Sequence, residues 1–292
     1  MGFEVKIIAD SISTEDIRLT TWQLKYPRFI HAEFMTHREF SRNASSSRAI
    51  PVKKMIEMVR DEPAMPIHWG MNQPGMQAEI ELTGTSREVM IHRWQEAAQD
   101  AATNAEIMLE CNAHKQVINR ILEPFQWISV VMSTTRLSNF FGLRCHKDAQ
   151  PEIKHLGDEM HCAYTEGLPT LLLPGEWHLP YINDDDRATA YDYCQGAPYD
   201  TLELLKKMSA ARCARVSYLT HEGKVPNLQA DLDLYHRLVG SQPMHSSPTE
   251  HQATPDTLVY VEDSLRPSNP DLHGNFHGWI QHRKLLAGEY IK

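Results

Sequence analysis

The chain has no apolar stretch long enough to cross a membrane. Its longest such run is FQWISVVM, interrupted by Gln and Ser, against the roughly 20 residues a bilayer requires. No basic n-region followed by an apolar core opens the sequence, which argues against secretion. The five cysteines (Cys111, Cys145, Cys162, Cys194 and Cys213) are odd in number and form no C-x-x-C pair, as expected of a reduced, cytoplasmic chain. Basic residues are in deficit, 29 against 38 acidic ones in 292 residues, for a formal net charge of −9. That balance argues against a protein that coats DNA or RNA. Neither G-x-G-x-x-G nor a P-loop is present, which disfavours a Rossmann dinucleotide site or an NTPase. There is no G-x-S-x-G elbow, so a hydrolase built from Ser217, His251 and a carboxylate has little support. No Ser- or Gly-rich linker divides the sequence. One domain over residues 1–292 is therefore expected, with a loop-rich excursion at 168–200.

What the sequence does hold is polarity concentrated at a few places. The densest is HREFSRNASSSR, residues 37–48. A phosphate is best held by a guanidinium fork, hydroxyl donors and backbone N–H groups near a helix start. Ser45, Ser46, Ser47 and Arg48 supply all three, and Asn43 adds an amide that suits a base or ribose edge. A solvated capping loop has the same composition, so this stretch alone does not decide. A second cluster, NFFGLRCHKDAQPEIKH, carries Asn139 and Arg144. Its Glu152-x-x-His155 spacing is half of a di-metal site, but the second half and two further carboxylates are missing, so no metal is expected. AARCARVSYLTHEG and HSSPTEHQATP form a third and a fourth cluster.

Around these, EVKII reads as a strand. RLTTWQLKYPRFIHAEFMTH reads as two extended pieces broken at Pro27. Helices are predicted over 51–61, 86–112, 114–122, 137–144, 151–166, 200–212 and 228–240. On the longest helix, Val89, Ile91, Trp94, Ala97, Ala101, Ala105, Ile107 and Met108 mark the apolar side. WISVVMSTT is compatible with a strand or a buried helix. Residues 264–278 look loop-like, and GWIQHRKLL reads as a short closing helix.

Together the clusters resemble the flavin-dependent thymidylate synthases. That family's R-H-R-x-x-S-x-N-E-x-S-x-R signature appears as Thr36-His37-Arg38-x-x-Ser41-x-Asn43-Ala44-x-Ser46-x-Arg48. Its N-F-x-x-L-R-x(4)-A-Q-x-E-I segment is matched by Asn139-Phe140, Leu143-Arg144, Ala149-Gln150 and Glu152-Ile153. NRILEP, with Arg120, loosely matches a further segment. Ala214 to Tyr218 and Ser247 to His251 match the A-R-V-S and S-P-F-E-H segments. Those last two precede the signature in the usual family and come after it here, so the chain looks circularly permuted. Permutation is tolerated when the joined ends lie close in the fold. The segment around His251 is therefore expected beside the start of TTWQLKYPRF.

The resemblance implies an α+β fold, a mixed or antiparallel sheet packed with long helices, in a homotetramer with sites at subunit junctions. It implies FAD, with NADPH and 5,10-methylenetetrahydrofolate as co-substrates, in reductive C5 methylation of dUMP to dTMP. Carried over by position, Ser46 and Arg48 hold the nucleotide phosphate, with Ser45 beside them. Arg120 reaches the phosphate from a neighbouring subunit. Arg144 faces the pyrimidine and is the catalytic residue. His37, Arg38, Asn43, Asn139, Ser217 and His251 line the flavin site.

Three departures touch the base. Thr36 replaces the first arginine of R-H-R, Ala44 replaces the glutamate of N-E-x-S, and Glu33 stands where glutamine is usual. Glu33 joins the nucleotide-binding set, and its carboxylate can accept from an exocyclic amine such as cytosine offers. Competing readings are a flavin-dependent methylase or hydroxymethylase acting on dCMP, UMP or a modified dUMP, and a non-catalytic nucleotide-binding protein.

Overall fold

A computed structural model describes residues 2–218, 227–261 and 263–289. The fold is α+β, built on a five-stranded mixed sheet. Strand β1 (Glu4–Ile12) pairs antiparallel with β2 (Arg18–Pro27). Pro27 ends β2, but no second extended piece succeeds it. The chain enters a 3-10 turn leading into the single-turn helix α1 (His31–Phe34), because Phe34 and Ile30 turn inward to reach the core. The expected polar loop instead opens with a short edge strand, β3 (Ser41–Ala44). Helices α2 (Val52–Asp61), α3 (Gly84–Glu110) and α4 (Lys115–Leu122) come next, then β4 (Trp127–Thr134), which resolves WISVVMSTT as a strand. Helices α5 (Ser138–Arg144) and α6 (Pro151–Glu166) and the two-residue β5 (Thr170–Leu171) complete this half. The strand order is β3-β4-β2-β1-β5, with only the β1–β5 pair parallel.

The segment 168–200 is more ordered than its composition suggests. Asn183 caps α7 (Asp184–Tyr193) by accepting from the Asp186 backbone, while Asp186 accepts from the Asn183 backbone. The NDDDR run is thus a helix start. Helices α8 (Pro198–Arg215) and α9 (Leu228–Val239) lie beyond it. Three short strands come next, β6 (Ala253–Pro255), β7 (Leu258–Val261) and β8 (Ser264–Pro267), so 264–278 begins with a strand. GWIQHRKLL forms the strand β9 (Trp279–Gln281) and a 3-10 turn, because Trp279 is wholly buried and β9 pairs with β6.

Period-two patterning gives the sheet two unlike faces. Trp22, Leu24 and Tyr26 of β2 and Ile128, Val130 and Met132 of β4 pack under α6 against Ile153, Leu156 and Met160. The alternate residues include Thr21 on β2 and Ser129 and Ser133 on β4, all buried. A bulge in β1 between Ile7 and Ala9 shifts its register by one. Ser11 therefore falls on the polar face with Thr21. On α3 the buried residues are Ala98, Ala102 and Ala105, not the larger side chains of the expected stripe. Val89 and Ile107 stay about half exposed, because small alanines let α2 and α4 approach closely.

Arg212 ties the second half together. Its guanidinium donates to both oxygens of Asp186, to Asp231 and to the Tyr181 carbonyl, and all four bonds lie between 2.6 and 2.9 Å. Arg212→Ala leaves the enclosed Asp186 without its cation, while Asp231 keeps Arg215, and is expected to destabilise the fold by about 3–5 kcal/mol. A urea unfolding midpoint lowered accordingly confirms it, and an unchanged midpoint refutes it.

Candidate functional site

Phe34, Phe40 and Phe140 surround His37, whose ring meets Phe140 edge-on at 4.9 Å and stacks on Phe40 at 5.6 Å. Phe140 is aimed inward by α5, and the same helix delivers Arg144 as its last residue. The Arg144 Nε donates to His37 Nε2 at 2.9 Å, its Nη1 to Glu33, and its Nη2 to the Thr36 hydroxyl at 3.3 Å. Because Arg144 donates to Nε2, the His37 proton sits on Nδ1. Burial, with the charges of Arg144 and Arg42, lowers the His37 pKa to about 4, so the ring is neutral at pH 7. Arg42 braces the loop by donating to the Met35 and His37 carbonyls. Glu33 and Arg144 line a cleft of about 920 Å³, which residues 76–79 and 146–151 also border.

The serine run alternates. Ser45 and Ser47 point inward, Ser46 is half-buried and Arg48 is exposed. The Ser45 amide donates to the Ser129 carbonyl and the Ser45 hydroxyl accepts from the Ser129 amide, which extends the β4 ladder. Ser45 is thus engaged in structure. Ser47 donates to Glu123, which also receives Arg28 and Arg120. Ser46 accepts from the Arg48 amide, so its hydroxyl proton is free to donate. The Ser46 amide reaches the Ser217 carbonyl at 3.1 Å. Residues 219–223 of the AARCARVSYLTHEG stretch lie outside the described residues. Arg38 and Asn139 are exposed.

Asn43 and His251 belong to a buried chain of hydrogen bonds across the polar face of the sheet. Nε2 of His251 meets Asn43 Oδ1 at 2.9 Å, and its Nδ1 meets Ser133 Oγ at 2.8 Å. Ser133 meets Thr21 at 2.6 Å, Thr21 meets His178 Nε2 at 2.7 Å, and His178 Nδ1 meets Ser11 at 2.8 Å. Asn43 Oδ1 only accepts, so every donor in the chain is determined. His251 donates from Nε2, Ser133 donates to His251, Thr21 to Ser133, His178 from Nε2 to Thr21, and Ser11 to His178. The Asn43 amide also donates to Ser247 at 3.2 Å. The His251 segment therefore lies beside the start of β2, where a permuted order requires it. Both ring nitrogens of His251 are engaged, one by Ser133 and one by Asn43. Ser217 is not among its partners.

The sequence did not single out Thr21, Ser133, His178 or Ser11. For Ser133 a signal was there, since Ser129 and Ser133 fall on one face of an otherwise largely apolar β4. Glu152, the half-motif carboxylate, is buried and accepts from the Ile67 amide. No group of three or more metal-ligating side chains occurs among the described residues. Among those residues, too, no helix is long and apolar enough to cross a membrane.

The donor set fits anionic groups such as the phosphates of a nucleotide or of a flavin dinucleotide. Arg38 and Arg48 are exposed guanidiniums with no ion pair among the described residues, and Ser46 keeps a hydroxyl proton to donate.

A family model described as thymidylate synthase complementing protein matches residues 15–170. No curated protein sequence matches the chain. One solved structure similar to the chain is a UMP/dUMP methylase, PolB, from Streptomyces cacaoi bound with 5-bromo-UMP. It is 16% identical, with a TM-score of 0.46 over 56% of this chain and 89% of that one. A second, of PolB bound with 5-bromo-dUMP, is 14% identical with a TM-score of 0.46, over 56% of this chain and 90% of that one.

His178 and His251 are wholly enclosed, and burial lowers both pKa values to about 3. An unfolded histidine titrates near 6.5. Below that value the unfolded chain binds protons that the folded chain refuses, so stability falls as pH drops from about 6.5 toward 3. NMR of the imidazole nitrogens is expected to show both rings neutral, protonated on Nε2, at pH 5. Nδ1 protonation, or titration near pH 6.5, contradicts the hydrogen-bond chain.

Proposed function

We propose, from the premise that this chain belongs to the thymidylate synthase complementing protein family, that it catalyses flavin-dependent C5 methylation of a pyrimidine nucleotide. The observation that carries this reading is the contact of His37 with Arg144, 107 residues apart in sequence. It joins the T-H-R-x-x-S-x-N stretch to the N-F-x-x-L-R stretch, and both lie inside the family match.

In this reading the bound flavin supplies the reducing equivalents, recharged by NADPH, and 5,10-methylenetetrahydrofolate supplies the carbon. The chain itself binds and orients. Arg48 and the Ser46 hydroxyl hold the nucleotide phosphate. Arg120 serves the same phosphate from a neighbouring subunit of a homotetramer. Arg38, Asn139 and Ser217 would hold the flavin, together with Asn43, which His251 keeps in place. Arg144 faces the ring and stabilises negative charge developing there. Neutral His37 orients Arg144 without adding a second positive charge. The reaction of the family it resembles is dUMP to dTMP. The Glu33 carboxylate on Arg144 favours considering a second base, cytosine.

The test is an assay of purified protein with dUMP, dCMP and UMP, supplied with methylenetetrahydrofolate and NADPH. A yellow protein absorbing near about 450 nm that forms a C5-methylated nucleotide is expected. A colourless protein that takes up no added FAD contradicts the reading. Arg48→Ala removes a charge-assisted phosphate contact of about 1.5–3 kcal/mol and is expected to raise the nucleotide KM at least tenfold, with kcat little changed. Nucleotide binding unaffected by Arg48→Ala refutes the phosphate assignment.

A further inference from the structure

We propose that Glu33 and Arg144 together read the Watson–Crick edge of the base, and that the base they fit is cytosine. This rests on the reading of the cleft as a pyrimidine-nucleotide site.

A guanidinium has five N–H groups. Arg144 uses three of them, one each from Nε, Nη1 and Nη2, on His37, Glu33 and Thr36. Two N–H groups remain, one on each terminal nitrogen. Glu33 receives Arg144 on Oε1, and its Oε2 has no partner among the described residues. Both side chains line the cleft and are only partly exposed, Arg144 at 16% and Glu33 at 30%. The pair therefore presents one acceptor oxygen beside two donors.

Cytosine presents the complement: the N4 amine donates, and N3 and O2 accept. Uracil presents O4, N3–H and O2, two acceptors flanking one donor. Held in the same register, uracil sets O4 against the carboxylate and N3–H against the guanidinium; shifted by one position it pairs N3–H with Glu33 and one carbonyl with Arg144, two bonds where cytosine makes three, and leaves one Arg144 N–H unpaired. Like groups forced together in a partly enclosed cleft are left unpaired, and such mispairing discriminates strongly.

The surroundings hold this geometry. Phe34 anchors α1 in the core and so places Glu33. The Thr36 hydroxyl donates to the Glu33 carbonyl while accepting from Arg144, which locks both partners at one turn. The departures at positions 33 and 36 thus form one unit: Thr36 completes the seat for the arginine that Glu33 pairs with.

The experiment measures the affinity of the flavin-loaded full-length protein for dCMP, dUMP and deoxyribose 5-phosphate by calorimetry, alongside Glu33→Gln. Wild type is expected to bind dCMP at least tenfold more tightly than dUMP. Glu33→Gln, whose amide offers a donor beside its acceptor, is expected to reduce that ratio at least tenfold. Its affinity for deoxyribose 5-phosphate is expected to stay unchanged, whereas a merely structural role for Glu33 would move it. A wild type that prefers dUMP overturns the inference, as does a ratio that Glu33→Gln leaves unaltered. Failure of both nucleotides to bind overturns the proposed function itself, and this inference with it.

Discussion

The sheet buries polar groups on one of its faces, and much of the structure depends on satisfying them. Thr21, Ser133 and Ser11 lie where water cannot reach, and each unpaired hydroxyl there would cost about 1–3 kcal/mol. The fold answers with two histidines, one delivered by the segment after β5 and one by the SPTEH turn. Their neutrality is enforced by burial and by the single direction in which the hydrogen bonds can run. The C-terminal region is therefore a working part of the sheet. It closes the polar face, and its His251 sets the amide of Asn43 in the edge strand that leads into the serine run.

The opposite face does the complementary work. Its apolar residues seat α5 and α6, and α5 brings Arg144 to His37. One sheet thus orders both halves of the candidate site, the arginine through hydrophobic packing and the asparagine through a polar relay. The SPTEH segment, although late in the chain, reaches β3 and β4 through His251.

Much of this was legible in the residues. The long helices had helical periodicity, the HREFSRNASSSR stretch was conspicuous, and family resemblance linked it to Arg144 across a hundred residues. Other features were not legible, for identifiable reasons. The NDDDR run looked like a loop because acidic residues at a helix start mimic a solvated turn, and only the Asn183 cap reveals its role. GWIQHRKLL had the composition of a helix, but Trp279 had to fill the space beside Leu19 and Phe276, and that placement requires a strand. The burial of His251 was not legible, because an exposed and a buried histidine read alike in sequence. Its task was visible only once Ser133 and Asn43 were seen on either side of its ring.

The central claim is that this cleft activates C5 of a pyrimidine nucleotide with a flavin's help. The most direct test is release of tritium from C5-labelled dCMP and dUMP by the FAD-loaded protein with methylenetetrahydrofolate and NADPH. Flavin-dependent tritium release, abolished by Arg144→Ala while the flavin stays bound, is the predicted result. No release from either nucleotide, by a protein that binds both, would contradict the claim.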